Sequence, residues 1–347
     1  MQRRIRISLL RQLKAAGIFA GVRHSRWRQR RLLILCYHGL ALDEENLWEP
    51  ALFLTAARLR DRLEMLKQGG YHVLPLSEAL ERLHRGDLPP RSVALTFDDG
   101  TYDFYRLAYP LLKEYGFPAT IYQTTHYCSR PMPVFNLICS YMLWKKRAGT
   151  LAAAPAIGIP RDIPLDSRQA REMAMRQVWA FADGQDFSTE QKNELAAELA
   201  RLLGVDYPEL LRQRILQLMT PGEIAELAAA GLSFELHTHR HRMPRDRHLF
   251  EREIRDNRDA IESITRIRPT HFCYPGGDYE PLFLPWLAAQ GVRSATTCEP
   301  GLSSKGSEPL LLPRFVDTTG QTPLEFESWL TGVGALLSSG ASVLRHP

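Results

Sequence analysis

The stretch "SVALTFDDGTYDFYRLAYPLLKEYGFPATIYQT", Ser92–Thr124, sets the architecture. Ser92 to Phe97 is β-branched and apolar, as a buried strand requires, and Asp98-Asp99-Gly100 then breaks the run with turn chemistry. "TYDFYRLAYPLLKEYG" has helical spacing with a bend at Pro110, and "PATIYQT" reads as the next strand.

The same beat extends outward in both directions. Upstream stand the strand "LLILCY" (Leu32–Tyr37), the helix "FLTAARLRDRLEMLKQGGY" closed by a glycine pair, the strand "HVLPL", and the helix "SEALERLHRG" with Ser77 as its cap. Downstream come helix "TPGEIAELAAAG", strand "LSFEL", helix "HLFEREIRDNRDAIESIT", strand "THFCYP", helix "PLFLPWLAAQG" and strand "RSATT". Alternation of this kind argues a parallel α/β sheet, open or closed, and function then sits past the strand C-terminal ends. Between them the beat breaks. Residues 127–219 are mostly helical, with a capping box at Ser188 and Gln191 and an Ala, Gly and Pro rich loop, Ala148–Asp166. The expected organisation is a basic arm (1–31), a first barrel part (32–126), a helical insertion or lid (127–219), a second barrel part (220–320) and a C-terminal helix and tail (321–347).

Composition narrows the chemistry. The 347 residues carry a net charge of +5, yet Met1–Arg31 alone holds nine arginines and Lys14 before the first acid, Asp43. Its apolar "AAGIFAGV" is short and lacks a small-residue cleavage site, so an uncleaved arm resting on anionic lipid is expected, a solvated tail being the alternative. No aromatic platform accompanies the charge, so nucleic acid is not an expected partner. No apolar run reaches the roughly 18 residues of a membrane span. Five cysteines without a CxxC suit a reducing compartment, so a cytoplasmic or inner-membrane-face location is expected, with export left open.

The strand ends hold the chemistry. His38 follows "LLILCY", Asp98 and Asp99 follow "SVALTF", His237 follows "LSFEL", and Pro275, Gly276 and Gly277 follow "THFCY". At the Gly100 turn neighbouring carboxylates can be displayed differently, one binding a cation and the other free as a base; an ordinary Asp-Gly turn is the bland alternative. In "FELHTHRHRMPR", His237 can finish the strand and His241 return from the loop while His239 turns elsewhere; a solvated histidine cluster on a basic loop is the alternative, and the paired aspartates weigh against it. Two imidazoles and one carboxylate are a zinc set. Deprotonating free water (pKa ~15.7) with an ordinary aspartate (~3.9) is uphill by roughly 16 kcal/mol, and by roughly 4 kcal/mol once a metal brings the water near pKa 7.

The pair "TFDDG" and "HTxxH" (His237–His241), with the lead-in "LPLSEALERLHRGDLPPRSV", resembles the polysaccharide deacetylases of carbohydrate esterase family 4 over about Leu32–Thr318, the helical insertion excepted. The resemblance implies a distorted (β/α) barrel that removes N-acetyl groups from glycans with Zn²⁺ or a similar divalent ion. Asp98 matches the family's general base, and Asp99, His237 and His241 match its metal triad. Thr238 would brace the loop, His239 has no role, and a backbone N–H near Gly276, in the Pro275-Gly276-Gly277 turn, would face the oxyanion.

Two departures stand out. The arginine that orients the base in many members is replaced by Cys273, for which Arg314 in "LLPRFVD" is the candidate substitute. The C-terminal histidine that serves as general acid is also missing. However, "LCYHGL" resembles the first strand of a permuted subgroup that includes poly-N-acetylglucosamine deacetylases, making His38 the expected proton donor. An N-acetylated glycan is thus the expected substrate. A hydrolase of a small acylated amine or cyclic amide, or an inactive glycan-binding module, are the alternatives.

Overall fold

A computed structural model describes residues 2–343. Eight parallel strands form one curved sheet: β1 Leu33–Tyr37, β2 His72–Val73, β3 Ser92–Asp99, β4 Thr120–Gln123, β5 Ser233–Leu236, β6 His271–Cys273, β7 Ser294–Thr296 and β8 Phe315–Val316. The order is β7-β6-β5-β4-β3-β1-β8, with β2 pairing the first residues of β3. The run before β8 closes the circle. Leu312 bridges Thr296, and three residues later Phe315 lies opposite Leu35 of β1. This is the expected distorted (β/α) barrel.

Burial on both faces explains why the strands read as unbroken apolar runs. Leu33, Leu35 and Tyr37 of β1, with Val93, Leu95 and Phe97 of β3, pack outward against the helices in the main core. Alternate residues point the other way. Ile34 and Ala94 join Tyr122, Cys273 and Leu312 in a small inner core, so residues on this register, Cys36, Thr96 and Asp98, face the barrel interior.

Several local expectations change. Helix Leu76–Arg85 begins after Pro75 with no side-chain cap, because the Ser77 hydroxyl lies 2.7 Å from His271 Nε2 instead. That histidine, its Nδ1 on the Ser294 hydroxyl at 2.8 Å, opens β6 and so sits at the end of the barrel away from the conspicuous strand termini. The loop 148–166 contains a small hairpin, Thr150–Leu151 against Ile163–Pro164. Strand β8 has no counterpart in the sequence reading.

Residues 127–219 contain helices Phe135–Lys145, Arg168–Gly184, Thr189–Leu203 and Tyr207–Arg212, the third opened by the Ser188–Gln191 capping box. Their apolar faces form a separate cluster that also takes in Trp48 and Phe53. At the C-terminus stand helices Pro323–Thr331 and Val333–Val343; the end of the expected tail, residues 344–347, lies outside the described residues.

Candidate active site and metal centre

Strand β3 delivers both aspartates. Asp98 continues the inward register, whereas Asp99 has φ +69° and turns its carboxylate out of it. The turn therefore begins at Asp99, one residue before the glycine. Gly100 is required as well: its φ is +75°, and a Cβ there would sit 2.0 Å from Gln123 Oε1. Thr238 (φ +60°) and His241 (φ +55°) share this uncommon backbone state. Left-handed non-glycine residues cluster where a site over-determines them.

Those turns bring three ligand atoms together. His237 Nε2 and His241 Nε2 each lie 3.3 Å from Asp99 Oδ1. Two ligands each about 2.05 Å from a tetrahedral zinc are roughly 3.3 Å apart, so the donor set fits such an ion. His237 Nδ1 lies 2.9 Å from the Cys273 carbonyl oxygen, to which it can only donate, and that leaves Nε2 free as a ligand. The His237 backbone N–H donates to Asn257 Oδ1, whose amide in turn donates to Gln123 O and Thr125 Oγ1. Thr238 Oγ1 accepts the Arg242 N–H at 3.0 Å, closing the loop. His239 points away, its Nδ1 on Thr125 Oγ1 at 2.8 Å.

Asp98 is held differently. Arg314, fully buried, places Nη1 and Nη2 each 2.7 Å from its two oxygens. The same guanidinium reaches Thr297 O through Nε and Thr96 Oγ1 through Nη1, which fixes its plane. Cys273 Sγ lies 3.4 Å and Cys36 Sγ 3.5 Å from Asp98 Oδ2. Burial alone would raise the Asp98 pKa, but the Arg314 charge and hydrogen bonds, with His38 and His237, hold it well below the usual carboxylate range. His38 Nε2 stands 3.7 Å from Asp98 Oδ2, with its ring one-fifth exposed.

Among the described residues two other groups bring metal-ligating atoms together, Cys36 with His38 and Asp98, and Asp98 with His237 and Cys273. Both include Asp98. A cation there would sit beside the Arg314 guanidinium and compete for oxygens already occupied. Among the described residues no arginine or lysine pairs with Asp99, whose only ion-pair partners are His237 and His241.

At the Pro275–Gly277 turn Gly276 has φ +67° and Gly277 φ +77°. The amides of Gly277 and Asp278 close the turn onto Tyr274 O and Pro275 O. The structure thus assembles Asp98, Arg314 and His38 around one carboxylate and Asp99, His237 and His241 around the next. Sequence reading passed over Asn257. Its signal was a polar residue on the apolar stripe Phe250, Ile254, Ile261 of helix Arg247–Thr265.

The family model described as polysaccharide deacetylase matches residues 85–178 and 181–295, running through most of the helical segment. The poly-beta-1,6-N-acetyl-D-glucosamine N-deacetylase of Escherichia coli (strain K12) is 28% identical over 95 residues. That match spans 27% of this chain and only 14% of the relative's length. Among solved structures, the Streptococcus pyogenes deacetylase PplD in complex with acetate superposes with a TM-score of 0.56 at 20% identity, covering 84% of this chain and 95% of that one. IcaB from Ammonifex degensii gives a TM-score of 0.54 at 17% identity, covering 88% and 97%. These two likenesses establish the fold.

Proposed function

The chain belongs to the polysaccharide deacetylase family, and from that premise we propose that it removes N-acetyl groups from a glycan containing N-acetylglucosamine. The observation that carries this reading is the division of labour between adjacent carboxylates: Asp98 clamped by Arg314, and Asp99 turned toward two histidines. Asp99, His237 and His241 would hold a divalent cation, Zn²⁺ being favoured by the two-nitrogen, one-oxygen donor set. When bound, such a cation would supply the positive charge that makes a water acidic enough for an aspartate and that offsets charge developing on the acyl oxygen.

The chain's own residues do the rest. Asp98, kept ionised and aimed by Arg314, takes the proton of the attacking water. His38, facing the same space from the end of β1, gives a proton to the leaving amine. The Gly276 N–H is assigned to the acyl oxygen, where charge grows as the amide carbon becomes tetrahedral. Thr238 holds the loop that presents His241. Because Arg314 supplies the guanidinium missing at Cys273, that departure no longer favours an inactive binding module.

The names of relatives such as the Escherichia coli protein support a β-linked N-acetylglucosamine polymer as substrate. The test is acetate release from N-acetylglucosamine oligomers of increasing length, compared with small N-acetylated amines. Turnover that rises with chain length supports the glycan. Turnover confined to the small amines would replace it with the second substrate class.

A further inference from the structure

The N-terminal arm is helical and has two unlike faces. Helices Gln2–Ala15, Ile18–His24 and Arg26–Gln29 lie against the C-terminal helices. Leu10 and Phe19 are buried with Val333. Arg3 pairs with Glu325 at 3.0 Å and Lys14 with Glu327 at 2.6 Å. Arg28 is buried, donating to Leu330 O and Arg31 O. Half of the arm's amphipathic character is therefore used inside the molecule.

At 100° per residue, Arg3, Leu10 and Lys14 lie along one side of the first helix and Ile5 and Leu9 along the other. Ile5 is 62% exposed, Leu9 40% and Ile18, opening the second helix, 43%. Arg4 and Arg11 lie on one lateral side of the helix, separated from that stripe by Ser8 and Gln12, and Arg6 lies on the other side. None of these three arginines has an ion-pair partner among the described residues, and no acid precedes Asp43.

We propose that this outward side is a docking surface for an anionic lipid bilayer, with Ile5 and Leu9 entering the headgroup boundary and Arg4, Arg6 and Arg11 meeting lipid phosphates from the two lateral sides. A narrow apolar stripe with arginines on the lateral sides is the chemistry of a helix lying in an interface. No helix of the described residues is long and apolar enough to cross a membrane, so the contact is peripheral. The stripe is small, so electrostatics carries much of the binding and salt weakens it. Hydrolysis is not involved, so vesicle binding and catalysis succeed or fail separately.

The test is co-sedimentation of the full chain with phosphatidylcholine vesicles, with and without phosphatidylglycerol. Binding to the anionic vesicles alone, lost at raised salt, is expected. The double variant Arg4→Gln/Arg11→Gln weakens partition roughly 30-fold, about 1 kcal/mol per basic side chain at 1.4 kcal/mol per factor of ten. Ile5→Ser/Leu9→Ser weakens it tenfold or more, and both variants keep the wild-type circular dichroism and melting. Equal binding to neutral vesicles, or arginine variants that bind like wild type, would overturn the proposal. So would a dimer in sedimentation velocity that Ile5→Ser/Leu9→Ser dissolves, which would give the stripe to a second copy of the chain.

Discussion

Arg314 grips Asp98 with two parallel 2.7 Å hydrogen bonds across the barrel interior, from a position 216 residues later in the chain. The pairing depends on β8, which brings Phe315 opposite Leu35 and so sets Arg314 beneath the end of β3. An aspartate buried at this depth needs such a partner. Its low pKa makes it a weaker base for the role proposed for it, but it stays ionised and in one orientation, and orientation governs the encounter when a water must be met at a fixed point.

Removing the clamp has two consequences. Arg314→Ala leaves a buried carboxylate unpaired, so a loss of about 3–5 kcal/mol in denaturant unfolding is expected. Turnover below the melting temperature falls on the order of 10²-fold through misorientation of Asp98. Arg314→Lys keeps the charge but not the fork, and should recover stability better than turnover. Wild-type kcat in Arg314→Ala would remove the guanidinium from the account.

The histidines divide by geometry. His241→Ala and Asp99→Ala are expected to lose bound divalent metal, measured by elemental analysis after gel filtration. His239→Ala should keep it, since that ring is turned onto Thr125. Strong metal loss in His239→Ala with an intact fold would contradict the assignment.

Asp103 ties the loop carrying His38 to the turn after β3. Its Oδ1 accepts the Leu40 N–H at 2.8 Å and the Thr101 hydroxyl at 3.1 Å. Burial, reinforced by Glu45 and opposed by those two donors, pushes its pKa up to about 7. A carboxyl raised in the fold binds its proton more tightly there than in the unfolded chain (~3.9), so stability falls as pH rises from about 4 to about 7 and then levels off. Asp103→Asn keeps the acceptor and removes the ionisation. It should match wild type near pH 4 and exceed it above pH 7, by an amount on the order of 4 kcal/mol at most. Asp103→Ala frees the His38 loop and lowers kcat, with no further loss when combined with His38→Ala. Parallel pH–stability curves for wild type and Asp103→Asn, or additive kcat losses, would refute this.

Gly100→Ala puts a methyl group into the Gln123 amide at φ +75°. About 1–3 kcal/mol of destabilisation is expected. An unchanged melting curve would mean that the turn tolerates more than its geometry suggests.

Much of this was legible in the sequence because buried parallel strands are continuous apolar runs, and their ends stand out when His38, Asp98 or His237 interrupts one. Arg314 drew notice through the cysteine at 273. What stayed hidden was tertiary. Strand β8 is only two residues long, and nothing local distinguishes Phe315–Val316 from a loop. Ser77 had every local mark of a helix cap, but His271 claimed its hydroxyl from 194 residues away. Asn257 reaches His237 through that residue's backbone N–H, a contact that no spacing encodes.

The most direct test pairs metal content with acetate release from N-acetylglucosamine oligomers in wild type and Asp98→Asn. Wild type should carry close to one divalent ion per chain and release acetate. Asp98→Asn should keep the ion and lose on the order of 10³-fold in turnover, the scale of a general base. A fully metallated wild type that releases no acetate from any such oligomer, or an Asp98→Asn variant as active as wild type, would contradict the account.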